Sequence, residues 1–245
     1  MRIGVIGCGT IASALVPRLA RDGHDIVVSE RSHAHSSALS LAHENVSVAD
    51  NQGVVDRADL IFVAVMAEAA EGVLTNLEFR SDQSVISMMA GASLADLNLW
   101  VSPANAPAIL LPFPNVATPG APVIAMGDVM ALRGMLEPDN LIYTVKNQAE
   151  LDAALAAQAV LSPAVAMVEV ASMWLGDRVA DPAAGEAFLR ALVGSNLMAG
   201  PCAPLLDALN TTGGYNQRLR QHMQGGGTLD HLTEGLNTLG GSIRG

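Results

Sequence analysis

Apolar residues along this chain of 245 residues fall into two patterns. Up to about residue 145, short apolar or β-branched runs alternate with stretches of helical periodicity. The runs are Ile3–Ile6, Ile26–Val28, Leu60–Val65, Ser84–Met88, Ala108–Leu111, Pro122–Ala125 and Leu141–Val145. Such alternation predicts βαβ units around a mainly parallel sheet. After Lys146 the strand-like runs stop, and Ala-, Leu- and Met-rich segments predict helices at about 148–160, 162–178, 182–199, 202–210, 214–224 and 228–240. Breaks between them carry Ser162-Pro163, Asp181-Pro182, Gly200-Pro201, Gly213-Gly214 and Gly225–Thr228, with Thr228 reading as the N-cap of the last helix. The pattern predicts two domains, 1–147 and 148–245.

The second domain changes the picture further, because segment 154–174 is apolar nearly all round. Another subunit is expected to cover it, in a homodimer or higher homo-oligomer. Half of the residues are hydrophobic, which excludes a disordered chain. No uninterrupted apolar run nears the roughly 18 residues of a membrane helix, so no membrane partner is expected. The start reads directly into Gly7-Cys8-Gly9 rather than a secretory signal, and a cytoplasmic location is expected. Cys8 and Cys202 have neither disulfide-framework nor zinc-knuckle spacing. Thirteen Lys and Arg against 24 Asp and Glu give a net charge of −11, which argues against nucleic acid as a partner.

Gly7-x-Gly9-x-x-Ala12 follows the first strand and opens the helix Thr10–Arg21, with Glu30 ending the next strand. That context predicts a dinucleotide-binding turn. Gly7 would make the turn, Gly9 would admit the pyrophosphate and Ala12 would let helix and strand pack closely, with helix amides facing the phosphates. The fold class predicted is therefore α/β: a Rossmann-type doubly wound sheet followed by an all-α C-terminal dimerisation domain. Glu30 suits the ribose hydroxyls of NADH, whereas Arg31 and Ser32 suit the 2′-phosphate of NADPH. A salt bridge within that loop accounts equally for both residues. His33, His35 and His43 fit no common zinc spacing and read as a solvated loop and helix face, so no metal is expected. Cys8 sits in the turn because a small residue is needed there.

The stretches Ile3–Thr10, Ala58–Val65, Ser87–Leu94, Pro114-Asn115, Ser162–Ala164 and Thr211–Asn216, in this order and spacing, resemble the pyrroline-5-carboxylate reductase family. The resemblance covers the whole chain and implies an NAD(P)-binding Rossmann domain and a helical domain that dimerises and completes the active site. It implies nucleotide contacts from Gly7, Gly9, Thr10, Ile11, Ala12, Glu30, Arg31, Ser32, Asn51, Ala64, Val65, Met66, Met89, Ala90 and Asn115. Asn51 favours NADPH by resemblance, and a helix cap is its alternative role. The chain departs from the family at three places. Met66-Ala67 stands where a Lys-Pro is usual, and Leu110–Asn115 lacks the usual arginine. Thr211–Asn216 stands where the family has Ser-Pro-Gly-Gly followed by a Thr pair or Ala-Thr.

By the same resemblance, Thr212, Gly213 and Gly214 would hold the substrate, while Tyr215 or Asn216 would replace the family's threonine beside the imine nitrogen. Reduction of a C=N bond needs hydride from the cofactor and a donor near nitrogen. The expected function is NAD(P)H-dependent reduction of a cyclic imine or imino acid, a small-molecule substrate. The alternatives are a non-catalytic dinucleotide-binding dimer and a reductase of another carbonyl, imine or deazaflavin-type cofactor.

Overall fold

A computed structural model describes residues 1–31 and 33–242; the expectation for Ser32 falls outside the described residues. The chain divides into two compact units, Met1–Leu151 and Asp152–Gly245.

The first unit runs β1 (Arg2–Ile6), α1 (Thr10–Arg21), β2 (Asp25–Ser29), α2 (His33–Ala42), β3 (Val46–Ala49), α3 (Asn51–Arg57), β4 (Leu60–Val63), α4 (Ala67–Leu74), β5 (Ser84–Ser87), α5 (Leu94–Trp100), β6 (Asn105–Pro112), β7 (Pro122–Gly127), α6 (Met130–Leu136) and β8 (Leu141–Val145). The strands form one sheet in the order β3-β2-β1-β4-β5-β6-β7-β8. Every pair is parallel except β6–β7. From β1 the chain winds outward through β2 and β3, then returns to place β4 on the other side of β1. This reversal puts the topological switch point between β1 and β4.

Continuous apolar strands fold this way because both faces are buried. Ile3, Val5, Phe62 and Ile86 join one core with Leu15, Val16 and Leu19 of α1 and Leu132 of α6. Ile61, Val63 and Val85 join the opposite core with Val54 and Val55 of α3, Leu74 of α4 and Leu97 of α5. Alternate residues of each strand thus feed opposite helical layers. β3 is missing from the predicted strands, since Val46–Ala49 is an edge strand whose Val48 is exposed and whose Ser47 interrupts the apolar run.

α7 (Gln148–Gln158) carries the chain into the second unit, which continues with α8 (Leu161–Gly176), α9 (Pro182–Ala199), α10 (Cys202–Ala208), α11 (Tyr215–Gly225) and α12 (Thr228–Ser242). Asp181 caps α9 by accepting from the Ala184 N–H at 3.0 Å, and Pro182 begins that helix. The last helix starts at Thr228 itself, directly after Gly227 in the left-handed region. No residue of α8, α9, α10 or α11 is buried. Met173, Trp174, Phe188, Leu197 and Met198 are all exposed. The run Gln148–Gly176 contains a window of mean hydropathy 1.6 and is long and apolar enough to cross a membrane by length and composition. It holds no uninterrupted apolar stretch of that length, because Glu169 and small polar residues punctuate it.

Arg18 pins the first unit internally. Its side chain is 5% exposed, forms an ion pair with Asp22, lies 3.6 Å from Asp139, and donates to the Met135 carbonyl at 3.0 Å. Arg18→Ala is expected to cost about 1–3 kcal/mol, since it strips a charged donor from a buried carbonyl while both carboxylates can rehydrate. Urea unfolding of the full chain measures the loss, and a midpoint unchanged from wild type would refute it.

Candidate functional site

The parallel strands β1, β2, β3, β4, β5 and β6 all deliver their carboxyl ends to one edge of the sheet. Open α/β sheets bind ligands at that edge, beside the switch point. β1 runs into Gly7, whose φ is +86°. A Cβ at Gly7 would lie 2.6 Å from the Ala64 carbonyl oxygen, so the turn after β1 and the end of β4 touch through backbone alone. Gly9 then donates its N–H to the Gly7 carbonyl at 2.8 Å and stands as N-cap of α1. It offers no side-chain cap, and α1 has no acidic residue in its first turn. A Cβ on Gly9 would meet nothing within 4 Å. A helix N-terminus with uncapped amides and open space in front of it suits a phosphate. Thr10 is exposed and Ile11 half-buried, while Ala12 is buried against the core. Burial pushes the Cys8 thiol up to about 11, so it stays a neutral thiol.

Beyond β2 and β3 lies a cleft of about 600 Å³ lined by Glu30, Arg31, His33, Asp50, Asn51 and Gln52. It brings together three expected residues, Glu30, Arg31 and Asn51. Among the described residues neither Glu30 nor Arg31 is in an ion pair, so the loop salt bridge does not form there. The cap of α3 is Asp50, which accepts from the Gly53 N–H at 2.7 Å. Asn51 is therefore the first residue of that helix rather than its cap. Gln52 is held by the Glu78 backbone and by Asp56. His33, read from sequence as part of a solvated face, lines the cleft.

On the other side of the switch point, Ala64 donates to the Ile6 carbonyl at 2.8 Å and is followed by half-buried Val65. Met66 is 69% exposed and is the N-cap of α4. After β5, Met89 is only 3% exposed and packs into the core with Val63 and Ala92, whereas Ala90 is exposed. Met89 can present only its backbone to a ligand. Asn115 is exposed in the turn that follows β6.

The remaining expected residues belong to the second unit. Gly214 caps α11, Gly213 has a φ of +74°, and Tyr215 is 90% exposed. Asn216 lines an apolar groove of about 1060 Å³ with Pro163, Met167, Leu219, Met223 and Leu232; Tyr215 does not. Both glycine amides are engaged within the chain. Gly213 donates to Gln217 Oε1 at 2.8 Å and Gly214 to the Thr211 carbonyl at 2.9 Å. Gln217 was missed in the sequence, although a Gln three residues after a helix cap is a known capping signal. The open amides at this helix start are those of Tyr215, Asn216 and Gln217, beside an exposed Thr212.

Residues 2–91 match the sequence profile of a family described as NADP oxidoreductase coenzyme F420-dependent. No curated protein matches the chain. A 1-pyrroline-5-carboxylate reductase from Streptococcus pyogenes superposes with a TM-score of 0.83 at 21% identity, covering 99% of this chain and 98% of that one. The Plasmodium falciparum pyrroline carboxylate reductase with NADP bound gives 0.83 at 14% identity, covering 99% and 97%. The fold is that of the pyrroline-5-carboxylate reductases. A reductive aminase from Aspergillus terreus, in complex with NADPH4, cyclohexanone and allyl amine, is more distant at a TM-score of 0.61 and 16% identity, covering 99% and 92%.

The two glycines of the first turn separate fold from binding. Gly9→Val is expected to leave the melting temperature close to wild type, because the new side chain meets open space, and to abolish NADPH binding. Gly7→Ala is expected to lose stability as well, since its Cβ would press on the Ala64 backbone. Fluorescence titration and thermal melts of both variants check the pair; undiminished NADPH affinity in Gly9→Val would remove the nucleotide reading.

Proposed function

We propose that this chain is an NADPH-dependent reductase of the C=N bond of a cyclic imine or imino acid. The carrying observation is the uncapped start of α1 behind Gly9, open to solvent at the β1–β4 switch point. The family profile over residues 2–91 and the reductase fold support the same reading. In this reading residues 1–147 hold the nucleotide and residues 148–245 dimerise and complete the substrate site.

The residues present fit the nucleotide. Gly7, Gly9, Thr10, Ile11 and Ala12 would hold the pyrophosphate against helix amides. Arg31, with Ser32 and Asn51, would take the 2′-phosphate, while Glu30 accepts from the ribose. Ala64, Val65, Met66, Met89, Ala90 and Asn115 would bed the nicotinamide half. Bound NADPH supplies the hydride. The protein's share is positioning and proton supply: Asn216 would hydrogen-bond the imine nitrogen, with the Tyr215 hydroxyl as a second donor. Both are weak acids at neutral pH, so orientation outweighs acidity. Thr212 and the glycine pair would border the substrate. With the Gly213 and Gly214 amides already paired, they have no N–H left to offer a substrate carboxylate. An imine other than pyrroline-5-carboxylate is therefore the preferred substrate.

The exposed apolar side chains of α8 and α9 support a homodimer or higher homo-oligomer over a monomer or a membrane-spanning chain, because covering them with a second copy needs no lipid. We place the protein in the cytoplasm on the same ground.

Four measurements test this reading. NADPH consumption across a panel of cyclic imines is expected for at least one imine, with pyrroline-5-carboxylate turned over poorly. Binding without turnover of any imine would favour a non-catalytic sensor, and turnover of a deazaflavin alone would move the substrate to that cofactor. Asn216→Ala should lower turnover by about 1–3 kcal/mol of transition-state stabilisation at unchanged NADPH affinity, and Tyr215→Phe tests the second donor. Arg31→Ala should weaken NADPH about tenfold more than NADH, the worth of one charge-assisted hydrogen bond; the reverse ranking would make Glu30 the deciding residue. Light scattering at micromolar concentration should give at least twice the chain mass.

A further inference from the structure

Two serines close the strands that flank the β1–β4 pair, and the sequence motifs leave both without a role. Ser29 ends β2 beside Ala49 of β3, and Ser87 ends β5 between Val63 of β4 and Ile109 of β6. Both are 0% exposed. In a parallel sheet covered on both faces an apolar side chain would serve these positions for packing. The hydroxyls do something else. Ser29 Oγ accepts from the Gly7 N–H at 2.9 Å, and Ser87 Oγ accepts from the Met89 N–H at 3.1 Å.

A buried N–H deprived of its acceptor must be satisfied by movement or bear a desolvation penalty. Neither turn has slack to move. Gly7 is blocked on its other side by the Ala64 backbone, 2.6 Å from where a Cβ would stand. Met88, next to Met89, is fixed by its N–H bond to the Val63 carbonyl at 2.7 Å. Each hydroxyl therefore selects one geometry for a turn at the carboxyl edge. A doubly wound sheet places one mononucleotide half on each side of its switch point. Ser29 belongs to the β1–β3 half and Ser87 to the β4–β6 half.

We infer that Ser29 and Ser87 are positioning residues, Ser29 shaping the first turn for the pyrophosphate and adenosine half and Ser87 shaping the Met88–Ala90 turn for the nicotinamide half. The inference rests on the nucleotide site proposed above. It accounts for two buried polar side chains that the fold alone does not require.

The test uses the full chain and two ligands, NADPH and 2′-phospho-ADP-ribose, which lacks the nicotinamide. Dissociation constants are measured by calorimetry well below the melting temperature, which is recorded for each variant. Ser29→Ala should weaken both ligands about five- to tenfold, the effect of one lost neutral hydrogen bond. Ser87→Ala should weaken NADPH by a similar factor and leave 2′-phospho-ADP-ribose within about twofold. Ser29→Thr and Ser87→Thr, which keep the acceptor, should regain most of the affinity. Ser47→Ala, on β3 and outside the proposed site, serves as control. Loss of melting temperature with unchanged affinities, or the same loss on both ligands in both alanine variants, would show that the serines merely stabilise the sheet. If Ser29→Ala fails to fold, Ser29→Cys, with a weak sulfur acceptor, carries the same comparison. Failure of the wild-type chain to bind either ligand would overturn the nucleotide reading itself, a result separate from these patterns.

Discussion

The structure of the first unit turns on one close approach, that of Gly7 to the backbone of Ala64. Only a residue without a side chain fits 2.6 Å from that carbonyl, and only there can the end of β1 fold over the end of β4. The Ser29 hydroxyl fixes the same residue from the opposite side. Because Gly7 is clamped, Gly9 can be left free, and α1 starts with its amides uncapped and facing open space. The parallel register of β1 with both neighbours then brings the ends of β2, β4 and β5 to the same edge.

How far these features were legible in the sequence depends on the range of the interactions behind them. Strands buried on both faces advertise themselves as continuous apolar runs, so Leu60–Val63 was readable and the half-exposed edge strand Val46–Ala49 was not. The glycine turn was readable because its requirements are local: a positive φ, open space and a helix to follow. The roles of Ser29 and Ser87 were not, since each hydroxyl finds its partner only once strands and turns are assembled. Asn51 and Asp50 show how narrow the margin is, with the carboxylate one residue earlier taking the cap. His33 is exposed as its sequence context implied and also lines a cleft, because the segment after β3 makes that cleft as much as the His33 helix does. Gln217 occupies the amide of Gly213, one of the residues that the family resemblance assigned to the substrate.

The two units are stabilised differently. The first has a sheet covered on both faces and a buried arginine joining α1 to the segment after β7. The helices α8 to α11 bury no residue at all, yet the sequence of α8 is as apolar as a core. Helix periodicity and loop breaks fix such helices locally, so they were legible. Their packing was not, because a helix that is apolar all round gives no direction in which its partner lies.

The cysteine inside the first turn has its own consequence. Cys8 has no exposed surface and a thiol pushed up to about 11, so it carries almost no thiolate at neutral pH. Thiolate is the form that attacks peroxides and disulfides, and a sulfur that is both neutral and walled off is silent toward them. The turn can thus hold a sulfur within a residue of Gly7 and Gly9 and still be insulated from oxidants, whereas exposed Cys202 has no such screen. Oxidative stress would mark the chain at its helical end and spare the glycine turn.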